Sequence, residues 1–276
     1  MLGQVNEHDK GLPIQPGRGI PPRLAPVVQQ LELYQRSVLT IADLRVWLAE
    51  LAIATPAEDI ARDLQRHGWL LPLRTRGAWE FAPAVRAGAF SGGDRLIELR
   101  ATLRRRPELP LVLAYDSAAF LHGFGARIPN RHVLAVQGRR KIPSALSDFR
   151  VVRTVNVLNP VTIDGLPVWS VATLLVKIAT APHFFRDWPN AMEWLPEAFA
   201  RVDIADLEQE LNGASVASRI RLAYLADRAG RREFADLSAH VTSTAGPIYL
   251  GRARGRGHYV RRFDLIDALL IPTLKT

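Results

Sequence analysis

Apolar residues recur at helical spacing in three consecutive segments near the start of the chain, after which the period shortens to that of strands. In LAPVVQQLELY, Val27, Val28, Leu31 and Tyr34 fall on one stripe of a helix. Thr40 caps a second helix, IADLRVWLAEL, whose Ile41, Leu44, Leu48 and Leu51 repeat at three- and four-residue steps. A third helix follows the short connection ATP. Thr55 is its N-cap and Pro56 its first residue, Glu58 and Asp59 lie in the first turn, and Arg66 and His67 in the last; Gly68 ends it. The runs WLLPL and AWEF then form a hairpin in which Trp79 and Phe81 share one face, with Arg74, Arg76 and Gly77 at the tip. Three helices and a hairpin in this order describe a winged helix-turn-helix, which places its third helix in the major groove and its hairpin beside it on the backbone. A plain helical subdomain closed by a hairpin has the same order of elements.

Beyond residue 83 the pattern changes. AVRAGAFSGGD carries a Ser-Gly-Gly connection, and DRLIELRATLRRR forms a helix ending in three arginines. Asp116 caps SAAFLHG, which Gly123 closes. HVLAV and FRVVRTV read as strands, and Asp164-Gly165 turns a hairpin between VTI and LPV. Ser170 caps VATLLVKIAT, further helices cover about 190–201, 204–211, 215–229 and 232–240, and IYL and FDLIDALLIP return as strands. The expected fold class is therefore α+β in two domains: a flexible arm over 1–23, a winged helix-turn-helix over 24–90, and a mixed α/β domain over 91–276 in which antiparallel pairing outweighs repeated βαβ units.

Composition narrows the function. The 276 residues contain no cysteine, and the seven histidines form no HxH or HExxH pair, so neither a thiolate metal site nor a disulfide framework is expected, and no cofactor is called for. No apolar run is long enough to span a membrane and the N-terminus lacks a signal-peptide core, which points to a cytoplasmic protein without a membrane partner. The net charge of +9 favours polyanionic partners. That charge is uneven: residues 1–90 carry ten basic and nine acidic side chains, whereas 91–150 carry eleven and five. Arg104, Arg105 and Arg106, with Arg139, Arg140 and Lys141, account for most of the excess; they read either as solvated ends or as a second phosphate-binding surface. In the first domain, Arg62, Gln65 and Arg66 are positioned for groove contacts and Arg74 and Arg76 for the wing. Asp59 and Asp63, on the same helix, would repel phosphate if they faced the groove. GRARGRG at 251–257 reads as a flexible basic loop.

Catalytic patterns are missing from the chain. There is no GxxxxGK[ST] and no GxSxG, none of the four lysines follows a glutamate at ExK spacing, and the DxE at Asp206-Leu207-Glu208 has no Gly-Ser turn before it. A nucleic-acid-processing enzyme with a winged helix fused to a nuclease-like domain remains the alternative class.

Three short motifs resemble one bacterial family: Arg76-Gly77-Ala78-Trp79, Ser117-Ala118 through His122-Gly123, and Arg221-Leu222 with Leu225. In this order, over about residues 24–240, the chain resembles the AbiEi-type antitoxins, the regulator halves of abortive-infection toxin–antitoxin operons. The resemblance implies a non-enzymatic repressor that binds inverted repeats of double-stranded DNA in its own promoter, a second domain that contributes antitoxicity and a basic DNA-assisting surface, and a nucleotidyltransferase-like toxin as partner.

Overall fold

A computed structural model describes residues 19–84, 93–125, 127–154, 160–235, 246–251 and 257–270. Most of the N-terminal arm, Ser91 and Gly92 of the Ser-Gly-Gly connection, the centre of GRARGRG and the end of the 232–240 helix lie outside these residues. The chain divides into two compact units, one of residues 1–109 with 143–146, the other of 110–142 with 147–276.

The first unit contains α1 (Ala25–Tyr34), β1 (Val38–Thr40), α2 (Ile41–Glu50), α3 (Ala57–Arg66), β2 (Leu70–Pro72), β3 (Ala78–Phe81) and α4 (Ile97–Arg105). The three strands form an antiparallel sheet in the order β1-β3-β2, with Leu39 opposite Trp79 and Leu70 opposite Phe81. Strand alternation gives the sheet two apolar faces. Leu39, Leu70, Trp79 and Phe81 pack on Leu31, Leu44, Ile60 and Leu64 of the helices. Val38 and Ala78 point the other way, onto Ile97 and Ala101 of α4. Here the structure departs from the expected division at residue 90: α4 covers the second face of this sheet, which would otherwise leave Val38 and Ala78 in water. The β1 strand was also unforeseen, because three residues between two helices are too few for periodicity to register.

Local signals explain the helix ends. Thr40 forms a capping box with Asp43, each side chain accepting the other's backbone N–H. The third helix starts one residue later than expected, with Pro56 at the N-cap and no side-chain cap. Its end follows the sequence: Gly68 takes φ +74° and the Trp69 N–H bonds back to the Leu64 carbonyl at 2.9 Å. Tyr34, expected on the buried stripe of α1, is half exposed and stacks on Trp47 with ring centroids 5.7 Å apart.

The second unit is built on a five-stranded mixed sheet. Its strands are β4 (Leu111–Leu113), β5 (Val133–Gln137), β6 (Arg150–Thr154), β7 (Val161–Ile163) and β8 (Leu166–Val168), in the order β6-β5-β4-β8-β7. Two of the four pairings are parallel, β5 with β6 and β4 with β8, so antiparallel pairing does not prevail. The Asp164-Gly165 turn has φ +50° and +71°, the left-handed pair a two-residue hairpin requires. Helices α5 (Asp116–Leu121), α6 (Val171–Thr180), α7 (Trp188–Ala200), α8 (Ile204–Glu210), α9 (Val216–Arg228) and α10 (Arg232–Ala235) follow the expected spans closely. Leu174, Leu175 and Ile178 of α6 are fully buried where α8 and α9 pack on it. A small sheet of β9 (Ile248–Leu250), β10 (His258–Val260) and β11 (Leu265–Asp267) completes the unit, with the Tyr224 hydroxyl donating to the buried Asp267 carboxylate at 2.6 Å.

Asp116 begins α5 but does not cap it. Its carboxylate instead accepts the N–H groups of Arg186 and Asp187 and pairs with Arg150 at 2.9 Å.

Candidate nucleic-acid interface

The hairpin tip between β2 and β3 is held from two sides. On one side the Trp79 Nε1–H donates to Gln65 of α3 at 3.3 Å. On the other, the nearly buried Glu98 of α4 accepts the N–H of Arg74 at 2.6 Å, the N–H of Thr75 at 3.1 Å and the Thr75 hydroxyl at 2.9 Å. The Thr75 and Thr102 hydroxyls meet at 3.2 Å. One carboxylate thus satisfies two turn amides that would otherwise need water, and it fixes the tip against α4. Glu98, Thr102 and Arg105 occupy one stripe of α4, at steps of four and three residues.

That stripe brings four cations together. Arg74 and Arg76 from the tip and Arg105 and Arg106 from the end of α4 line a cleft of about 440 Å³, together with Thr75, Thr102, Pro143, Ser144 and Ala145. Arg76, Arg105 and Arg106 are exposed and form no ion pair among the described residues. Three guanidinium groups around hydroxyl-bearing walls suit phosphate oxygens, which accept from both kinds of donor.

Gly77 makes this approach geometrically feasible. It has φ +70°, and a Cβ built on it would lie 3.0 Å from Nη1 of Arg105. Gly77→Val is expected to cost about 1–3 kcal/mol through backbone strain. Gly77→Asn, which tolerates the left-handed region, should cost less. Urea denaturation of both variants checks this, and equal losses would contradict a backbone cause.

Arg104 does not join the cleft. Its guanidinium grips Asp43 through Nε at 2.9 Å and Nη2 at 2.6 Å, and that hydrogen-bonded pairing raises the arginine's own pKa. Burial pushes the Asp43 carboxyl up, but hydrogen bonds from Arg104 and from the Thr40 side chain and backbone outweigh it, leaving the pKa at about 2. The expected Arg104–Arg106 run is therefore split between anchoring α4 and facing the cleft.

The residues expected to read the groove lie on α3 and are already engaged. Arg62 pairs with Asp59 at 2.8 Å, Arg66 with Asp63 at 2.9 Å, and Gln65 accepts from Trp79. Both arginine side chains are about two-thirds exposed, so these pairs are weak and exchangeable. The acidity of this helix has a structural outlet, since Asp63 is buried and receives Arg23 at 2.6 Å as well as Arg66. Arg139, Arg140 and Lys141 are exposed in the second unit; the backbone carbonyl of Arg140 accepts from Arg153 at 2.6 Å. Glu98 and Thr102 were not among the expected site residues, although their spacing with Arg105 makes a polar stripe beside Ile97 and Ala101.

The other short motifs hold the second unit together. The Ser117 hydroxyl accepts the Val133 N–H at 2.8 Å and meets His132 Nδ1 at 3.0 Å, stitching α5 to the start of β5. His122 Nε2 donates to the Trp169 carbonyl at 2.8 Å, and burial pushes the His122 pKa down. Arg221 donates to the carbonyls of Tyr249 at 2.8 Å and Ala179 at 3.3 Å. Among the described residues, no helix is long and apolar enough to cross a membrane.

No curated protein matches the chain. A solved structure, the crystal structure of the RV2827C protein from Mycobacterium tuberculosis, superposes with a TM-score of 0.74 at 27% sequence identity, over 92% of this chain and 94% of that one. The family model of the AbiEi antitoxin C-terminal domain matches residues 111–228, the segment from β4 to the end of α9 that contains Ser117, His122 and Arg221. Over residues 111–228 the chain is therefore similar to the C-terminal domain of the AbiEi antitoxins.

Proposed function

We propose that this chain is an antitoxin and also a DNA-binding repressor of its own promoter, and that residues 24–109 are its winged helix-turn-helix. The observation that carries this reading is the cluster of Arg74, Arg76, Arg105 and Arg106 around the tip of a hairpin that directly follows the third helix and its Gly68 stop. The element order, with β1 pairing to β3, matches what a wing needs: a hairpin stiffened by a third strand. In this reading α3 enters the major groove, where phosphates displace Asp59 from Arg62 and free Arg66 for contact. The wing and the end of α4 hold the backbone, and Arg139, Arg140 and Lys141 add phosphate affinity from the second domain. That domain carries the antitoxin role toward a nucleotidyltransferase-like toxin, and no catalytic step is assigned to this chain.

The test is fluorescence anisotropy of the full chain with duplex from its own upstream region and with a scrambled duplex of equal length. Binding at least tenfold tighter to the upstream duplex at about 0.15 M salt is expected. Equal affinities would overturn the repressor reading while leaving the antitoxin assignment in place.

A further inference from the structure

A separate cavity of about 270 Å³ lies within the second unit, between α5, Gly125, and the segments 127–131 and 185–187. Its apolar surface comes from Ala119, Phe120 and Phe185, with Ile128 at the rim and 49% exposed. Four arginines and two aspartates also line it, which leaves it net positive. Two of those arginines are spent on the fold. Arg131 donates to the carbonyls of Ser147, Asp148 and Phe149, and Arg150 pairs with Asp116 and donates to the Phe184 carbonyl at 2.6 Å. The other two, Arg127 and Arg186, are exposed and make no ion pair among the described residues.

The wall of this cavity is built under strain. Tyr115, immediately before Asp116, has φ +47° and ψ −123°, a conformation that costs a bulky residue about 1–3 kcal/mol. Its ring is locked by an edge contact to Trp169 at 4.8 Å and by Phe184 at 5.7 Å. The strained step delivers Asp116 to the N–H groups of Arg186 and Asp187, and so sets the stretch that carries Arg186 and Phe185. An apolar cavity with a few converging polar groups is the ordinary form of a small-molecule site. The volume falls just under the roughly 300 Å³ at which ligand pockets begin, which limits the occupant to about a single ring with a charged head.

We propose that this cavity binds a small organic anion, its carboxylate or phosphomonoester head held by Arg127 and Arg186 and its apolar body resting on Phe120 and Ile128. The guanidinium pair supplies forked donors for the head, and the aromatic and branched surfaces reject a bare inorganic ion in favour of one with a body to bury. The site is independent of DNA binding by the first unit.

Isothermal titration calorimetry of the full chain with phenyl phosphate, inorganic phosphate and phenol tests this. Phenyl phosphate is expected to bind with a Kd of about 1 mM or tighter, inorganic phosphate at least tenfold more weakly, and phenol without measurable heat. The Arg127→Ala/Arg186→Ala pair should weaken phenyl phosphate at least tenfold, and Ile128→Asp, an exposed change at the rim, should abolish its binding. Arg139→Ala/Arg140→Ala, an equal loss of charge in the same unit, and Arg76→Ala/Arg105→Ala in the first-unit cleft should leave the affinity unchanged. The proposal is overturned by an absence of binding at roughly 10 mM, by inorganic phosphate binding as tightly as its phenyl ester, or by either control pair weakening the ligand as much as the cavity pair does.

Discussion

Replacing Arg76, Arg105 and Arg106 together with alanine is expected to weaken promoter binding on the order of a hundredfold at 0.1 M salt and to reduce the slope of log affinity against log salt by about 2.7. Each guanidinium that neutralises a phosphate releases counterion from the duplex, so three lost contacts remove about three times the 0.9 that one contributes. The thermal midpoint should hardly move, because all three side chains are exposed and form no ion pair among the described residues. Arg104→Ala supplies the contrast. It removes a single cation from the same helix turn but breaks the Asp43 anchor, so it should lower stability, which the triple variant does not. Anisotropy titrations at several salt concentrations, paired with calorimetric melts, separate the two. A triple variant with an unaltered slope would remove the cleft from the DNA surface.

That contrast also shows how far the sequence could be read. Charge counting located the cations but could not distinguish Arg104 from Arg105, since the distinction depends on a partner 61 residues away. A one-residue step along α4 turns a side chain by about 100°. One of these neighbours therefore meets α2 and the other the hairpin, and which is which follows only once α4 is known to pack on β1 and β3. Helices with caps were legible because their signals are local: Thr40, Ser170 and Gly68 act within a turn of themselves. The mixed pairing of the five-stranded sheet was not, because Val133 opposite Arg150 and Leu113 opposite Val168 are long-range choices that leave no periodic trace.

The same distinction separates the family motifs from the site. Ser117, His122 and Arg221 stand out in the sequence, yet each spends its polar atoms on a backbone group of its own unit. They mark a fold. The cation cleft instead depends on Glu98 and Thr102, which belong to no motif and become visible only through the turn amides and hydroxyl they hold. A search for chemistry in this chain by motif would therefore find its scaffold first.

Asp43 joins these two levels, and removing its charge should have the largest effect on stability. Its carboxylate accepts the Thr40 N–H at 2.8 Å and hydroxyl at 2.7 Å, both bonds from Arg104, and one from Arg36 at 3.2 Å, with only 14% of the side chain exposed. Its pKa of about 2, against an ordinary 3.8, corresponds to about 2 kcal/mol of stability. Because the folded pKa is depressed, that contribution is fully present above pH 4 and is lost as the pH falls through about 2. Asp43→Asn keeps the shape of the side chain but cannot carry the charge. It is expected to lower stability by about 2 kcal/mol at pH 7 and by progressively less toward pH 2, so that the two curves converge in acid. Denaturant melts of both proteins between pH 2 and 7 measure the convergence, and parallel curves would show that the carboxylate is not the anchor. The functional consequence follows from the geometry. With Arg104 released, α4 loses its tie to the capping box of α2, and Arg105 and Arg106 lose the fixed position from which they face the hairpin tip. Asp43→Asn should therefore weaken DNA binding several-fold even though it removes a negative charge, the opposite of what a purely electrostatic surface would give.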